Sequence, residues 1–265
     1  MVKRVFSLIV FLVFVVLSIG QAWAGSSDIF DLTNIHQGIV RINYPLKNNN
    51  KIKVMIQKDG VAYYYDVKTD RDAFPLQMGS GSYQLSLLEN IKDNKYEIKS
   101  SINVNVKLKD DKISFLQSAS PVYWQRDGEV AKIAEKLTKN LDTDEQKAYA
   151  IYDYIIKYIK YDKDKITSLS TDYVPMVEEI LSSGKGICFD YAALYAAMLR
   201  SIDIPTKLVK GYKRDIDTYH AWNEVYLQDQ GWVTIDTAYD AVMLEYGTSL
   251  TFYKDISEYS KEKEY

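Results

Sequence analysis

The chain has 265 residues, with 33 basic against 36 acidic side chains and a formal net charge of −3 at pH 7. That length holds one large domain or two modest ones, and the near balance of charge leaves no electrostatic footprint for nucleic acid. A single cysteine, Cys188, excludes any disulfide within the chain, and the histidines number two, His36 and His220.

The first residues, MVKRVFSLIVFLVFVVLSIGQAWAG, place Lys3 and Arg4 before an apolar run from Val5 to Ile19, and Ala22-Trp23-Ala24 follows. This is the pattern of a secretory signal peptide over residues 1–24, with cleavage expected between Ala24 and Gly25. An uncleaved anchor is the alternative, but the apolar run is short for a membrane span. The mature protein is expected to be secreted, with cell-wall association open and no membrane attachment once the leader is gone. Export permits disulfides, so a lone cysteine there is a buried spectator, an intermolecular bridge or a reactive thiol.

From residue 28 to 110 the hydrophobic period is two. "KIKVMIQ" puts Ile52, Val54 and Ile56 on one face, Asp59-Gly60 signals a hairpin, and "VAYYYDV" returns with Val61, Tyr63, Tyr65 and Val67 in alternation. Tyr83, Leu85 and Leu87 alternate next, then Ile102, Val104, Val106 and Leu108. Several short strands with turns between them predict an all-β, Ig-like sandwich as an accessory domain. His36 stands near its start as an exposed or locally bonded residue. The charged KDDK break and the proline-containing SASPVYW mark residues 111–127 as a linker.

Beyond it, over 128–265, the period changes to 3.6. Val130, Ile133, Ala134, Leu137 and Leu141 form one helical stripe. Thr143 and Gln146 form a capping box ahead of Ala148, Ile151, Tyr152, Ile155 and Ile159. Pro175 precedes a further helix through Val177, Ile180 and Leu181, which Gly184 and Gly186 stop. The next helix, from Cys188 to Ser201, is apolar all round and belongs at the centre of a fold. The strands "TKLVKGY", "HAWNEVYL" and "WVTID" follow, giving an α+β domain with a central helix packed on an antiparallel sheet. The charged tail SEYSKEKEY reads as solvated helix or coil.

Cys188 falls in the first turn of the central helix, where unpaired N–H groups and the helix dipole stabilise a thiolate. His220 starts one strand and Asp236 ends the next. If Gln230 pairs with Tyr226, Asp236 lies opposite His220; if Trp232 pairs with Tyr226, it lies opposite Trp222 and diagonal to His220. Either register puts imidazole and carboxylate on one face, and a one-residue slip separates them. A thiol facing a histidine oriented by an aspartate is an activated nucleophile for acyl transfer. The Cys188 N–H would donate to the oxyanion, with Tyr173 a candidate second donor. Gly186 and Trp222 are placed at the substrate cleft.

"GKGICFDYAALYAAMLRSIDIPTKLVKGY", "HAWNEVYL" and "GWVTIDT" together resemble the transglutaminase-like family of the papain-like superfamily, over about Gly128 to Thr237. The resemblance implies catalytic roles for Cys188, His220 and Asp236, in that chain order. One departure is that Thr237 follows Asp236 directly, where the family often has Pro-Thr. The family includes cross-linkers that pass a glutamine acyl group to an amine, peptidases and amidases that pass it to water, and inactive members. Two functions follow as expectations. The first is an exported cysteine acyltransferase or hydrolase, whose partner is a surface protein or cell-wall peptide. The second is a non-catalytic binding or scaffolding module of the same fold. No EF-hand loop or other calcium signature is seen, so neither a metal nor another cofactor is expected.

Overall fold

The computed structural model describes residues 14–16, 29–46, 50–70 and 72–265. The expected leader and its cleavage point lie outside these residues, apart from the backbone of Phe14–Val16, which pairs in parallel with Lys95–Glu97. No helix among the described residues is long and apolar enough to cross a membrane.

The molecule is mixed α/β and folds as two compact units. The first takes the described residues up to 32 together with 41–72 and 80–106, and the second takes 33–40, 73–79 and 107–265. The named elements among the first unit's described residues are strands. Its main sheet has the strand order Phe14–Val16, Lys95–Val106, Gly81–Lys92, Ile52–Lys58, Val61–Asp66. A ribbon of Phe30–Asp31 against Arg41–Ile42 accompanies it. The period-two pattern translates directly: Val54, Ile56, Tyr65, Tyr83, Leu85 and Leu87 are all buried. Asp59 and Gly60 both take positive φ, 50° and 80°, the geometry that a two-residue hairpin loop requires. Leu87 and Leu88 face opposite sides of the sheet by ordinary alternation and both are buried, Leu88 with Met55 and Tyr96, while Lys99 on the facing strand is the extra residue of a bulge.

The division between the units differs from the sequence reading at the linker. Residues 111–127 belong to the folded second unit. Asp110 caps a 3-10 helix, Asp111–Leu116, and Phe115, Ala119 and Val122 are buried. Two short segments from the β-rich region join them. Ile39, Ala73 and Ala119 pack together, Ser120 N–H donates to Ala73 O at 2.8 Å, and Leu76 N–H donates to Gly38 O at 2.7 Å. These apolar residues are irregularly spaced and each is buried singly, so no period announces them. Charge and proline alone suggested a linker.

The second unit contains α1 (Glu129–Thr138), α2 (Asp144–Tyr158), α3 (Lys163–Ser168), α4 (Val177–Ser183), α5 (Cys188–Ser201) and α6 (Thr237–Glu245). Its sheet is made of β1 (Thr206–Lys213), β2 (His220–Leu227), β3 (Gly231–Ile235) and β4 (Tyr259–Glu264), in the order β3-β2-β1-β4. α2 starts at the expected capping box of Thr143 and Gln146. α5 is buried from Asp190 to Arg200 and packs against α1, α2, α4, α6, β1 and β2. An all-round apolar helix is stable only with neighbours on every side, which is where this one lies. Two buried polar groups pin it to its surroundings. Asn223 Nδ2 on β2 donates to Ala192 O at 2.9 Å, and Arg200 donates to the carbonyls of Thr206, Gln117 and Tyr265. The tail is not solvated helix or coil: it forms β4, an edge strand paired with β1. Its alternating charges suit an edge strand, where one face meets water.

Candidate active site

The site is built at the first turn of α5. Gly184 ends α4 in the left-handed conformation, φ 64°. Lys185–Gly186 then pairs in parallel with Lys160–Tyr161, with Asp162 N–H donating to Gly186 O at 2.9 Å. Cys188 follows as the first helical residue, partly exposed. Asp190, fully buried, fixes this turn: its Oδ2 accepts from Ile187 N–H at 2.9 Å and from Lys165 Nζ at 2.6 Å, and its Oδ1 accepts from Tyr173 OH at 2.6 Å. Three donors satisfy a carboxylate that would otherwise be costly to bury.

The strands deliver the other groups. Tyr226 pairs with Trp232 and Asn223 with Ile235, the second of the two registers considered above. Asp236 then continues one step past β3 toward His220. It accepts from His220 Nε2 at 2.7 Å and from Tyr259 OH at 3.1 Å through Oδ2, and from Tyr239 N–H at 3.0 Å through Oδ1 as the cap of α6. Asp236 is fully buried and His220 is 5% exposed. Since Nε2 is committed to the carboxylate, Nδ1 is the nitrogen left to face Cys188, whose side chain acts on the imidazole electrostatically. The structure therefore brings Cys188, His220 and Asp236 together.

Their electrostatics follow from burial and from each other. Burial works against a charged imidazole. Asp236 and then the Cys188 side chain more than offset it, and the pKa of His220 is pushed up to about 10. Burial alone would raise Asp236, yet the charge and hydrogen bond of His220, the Tyr239 N–H and the Tyr259 hydroxyl hold it below the ordinary carboxylate range. An imidazolium–carboxylate pair is the arrangement these shifts describe.

Three further expectations are corrected. Tyr173 is placed beside Asp190, not at the oxyanion position: its hydroxyl donates to that carboxylate and accepts from Lys165 Nζ at 2.7 Å. Trp222 is 1% exposed and packs between Val209 and Tyr259, stacked on the His220 ring at 6.3 Å, so it backs the imidazole and does not line a cleft. Gly186 is buried, and a Cβ there would meet Asp190 Cβ at 2.7 Å, so its glycine makes room for Asp190 and not for substrate.

Sequence reasoning missed three residues. Tyr161, on the short parallel pairing with Lys185–Gly186, lies close enough to Cys188 for the two groups to act on each other electrostatically. Burial and the nearby sulfur raise its phenol well above the ordinary range. Asp190 was legible as an acidic residue in a first helical turn. Tyr259 carried no signal, because the strand that holds it was not foreseen. Among the described residues, no cluster of three His, Cys, Asp or Glu side chains is placed to hold a metal.

Comparison with known proteins finds similarity over the segment that holds this site. Residues 131–237 match the Transglutaminase-like superfamily. The matched segment, which holds Cys188, His220 and Asp236, is thus similar to a transglutaminase-like domain. It is 28% identical over 124 residues to the uncharacterized protein YebA of Bacillus subtilis, a match that covers 40% of this chain and 17% of that protein. Among solved structures it is similar to a Cytophaga hutchinsonii protein put forward as a cysteine protease, with TM-score 0.46, 16% identity, and 84% of this chain and 74% of that one covered. It is also similar to the periplasmic domain of TgpA from Pseudomonas aeruginosa, with TM-score 0.40, 14% identity, and coverage of 80% and 92%.

Proposed function

We propose that the protein is an exported cysteine acyl-transfer enzyme acting on glutamine or other amide bonds of surface protein or cell-wall peptide. The single observation that carries this reading is the convergence of Cys188 at a helix start with an imidazole whose far nitrogen is held by a buried carboxylate. Cys188 Sγ attacks the acyl carbon, and the carbonyl electron pair moves onto oxygen. The Cys188 N–H and the Tyr161 hydroxyl are the donors assigned to that oxyanion, with Tyr161 taking the role first given to Tyr173. His220 Nδ1–H protonates the leaving nitrogen as the C–N bond breaks, leaving a thioester. Water or a primary amine then attacks the thioester, His220 takes its proton, and the thiolate leaves. Asp236 holds the ring in the orientation both proton transfers need.

The test offers a glutamine-containing peptide to the mature chain with and without a primary amine, and weighs the products. A gain of one amide-to-acid conversion signals hydrolysis, and an amine adduct signals cross-linking. Cys188→Ser should fold and give neither. If the wild-type protein gives neither and Cys188 alkylates only after denaturation, the chain is a binding module of the same fold.

A further inference from the structure

Beside Cys188 the sheet presents a pair of cations that the acyl-transfer steps do not use. Lys210 on β1 lies directly opposite Lys263 on β4, so both side chains leave the sheet on one face. On its other side Lys210 is opposite Ala221, the residue after His220. Lys210 Nζ sits 3.3 Å from the centre of the Phe189 ring and 5.8 Å from that of Tyr265. Phe189 follows Cys188 in α5, so the ring ties this ammonium to the helical turn that carries the thiol, within reach of its charge.

The pair stands apart from the other lysines of the sheet. Lys207 is paired with Glu224 and Glu264, Lys213 with Asp215 and Glu258, and Lys261 with Glu224 and Glu264. Among the described residues, neither Lys210 nor Lys263 has a carboxylate at ion-pair distance. Burial draws the Lys210 ammonium down to about 8; the Cys188 side chain opposes that fall and Lys263 adds to it. A partly buried cation with a like charge beside it and no counter-ion is costly, and a ligand carboxylate would relieve that cost.

We propose that Lys210, with Lys263 at its outer edge, is a subsite for a carboxylate of the substrate, next to the amide whose acyl carbon Cys188 attacks. The substrate class is then a peptide bearing either a free C-terminal carboxylate or an acidic side chain adjacent to the acylated residue. This rests on Cys188 being the nucleophile.

The experiment uses two alkylating agents of nearly equal size, iodoacetate and iodoacetamide. In both, the sulfur displaces iodide and an S–CH2 bond forms; only the first carries a carboxylate. The ratio of their rates at Cys188 should exceed that of free cysteine. It should fall roughly three- to tenfold in Lys210→Met, the size expected for losing one nearby charge at intermediate dielectric, and less in Lys263→Gln. Lys210→Arg should restore it, and Lys210→Gln serves if the methionine variant does not fold. Fast iodoacetamide reaction with a ratio indifferent to these substitutions overturns the subsite alone. Failure of native Cys188 to react with either agent overturns the nucleophile, and the subsite with it. Protection of Cys188 from iodoacetamide then names the carboxylate: acetyl-Gln-Gly with a free C-terminus for a terminal one, acetyl-Gln-Glu-amide for a side chain. Protection by neither overturns the substrate assignment.

Discussion

The main sheet of the first unit and the sheet β1–β4 of the second are both written in alternating residues, yet the two units place their charged groups differently. In the first, charges pair locally at the surface: Lys53 with Asp66, and Lys99 with Glu89 and Glu97. In the second unit, two fully buried carboxylates outside the strands, Asp190 in α5 and Asp236 just past β3, collect three donors each. Alternation specifies which side chains face inward. What separates the two is polar groups brought inside, where each must be answered by partners, one local and two distant in sequence.

The largest expected effect comes from removing the charge at the centre of the second arrangement. Asp236→Asn should lower acyl-transfer turnover about 10³- to 10⁴-fold, since an uncharged partner neither fixes the ring nor stabilises the imidazolium. It should also change how stability depends on pH. His220 is raised from 6.5 to about 10, so its contribution is fully present below about 6.5 and is lost as pH rises through about 10. Asp236 is depressed from 3.8, so its contribution is present above that value and lost as pH falls below it. Thermal unfolding should therefore show the wild type most favoured over Asp236→Asn between about pH 4 and 6.5, with the gap closing toward pH 10. A gap that widens with rising pH would show that the pair is not charged in the way described.

Asp190→Ala tests the same principle away from the chemistry. It leaves Ile187 N–H, Tyr173 OH and Lys165 Nζ without their acceptor at the first turn of α5. A loss of about 3 kcal/mol in unfolding free energy is expected, together with slower alkylation of Cys188 as the turn loosens. Chemical denaturation with Cys188 labelling reads both. Stability unchanged within error would mean that the cluster does not hold the turn. Tyr161→Phe should cost less. It keeps the ring and removes one oxyanion donor, so turnover should fall about 100-fold while the rate of iodoacetamide labelling stays within about twofold. A fall in labelling that matches the fall in turnover would make Tyr161 a support for the thiol rather than a donor to the oxyanion.

The sequence made the second unit's centre legible through residues whose neighbours in the chain share their role. The apolar run of α5, the capping box at Thr143 and the strand starting at His220 each announce themselves within a few positions. The His220–Asp236 pairing was readable to within two registers because a short hairpin joins β2 and β3. Tyr161 and Tyr259 were not readable, since each reaches the site through pairing with a segment far along the chain. Tyr173 shows the opposite error. It was near enough in sequence to suggest a donor, but its hydroxyl was already needed by Asp190. Residues 111–127 misled for a related reason, because isolated buried side chains such as Phe115 and Val122 leave no periodic trace.

The smallest expected effect sharpens the comparison from the side of the first unit. Lys53 and Asp66 lie directly opposite each other on neighbouring antiparallel strands, with Nζ 2.6 Å from Oδ1 and side-chain exposures of 17% and 25%. Geometry alone would rank this pair with His220 and Asp236, whose contact is 2.7 Å. Solvent access decides otherwise. Water competes for both Lys53 and Asp66 and screens their attraction, and holding a long lysine in one rotamer costs entropy. Lys53 Nζ also lies 5.6 Å from the Tyr96 ring, so part of its hold survives loss of the carboxylate. A double-mutant cycle of Lys53→Met and Asp66→Asn, read by denaturant unfolding, should therefore give a coupling of about 0.2–1 kcal/mol, shrinking further in 0.5 M salt. A coupling of about 3 kcal/mol that salt leaves unchanged would place this pair with the buried carboxylates. The contrast between the two units would then rest on the identity of the residues and not on their access to water.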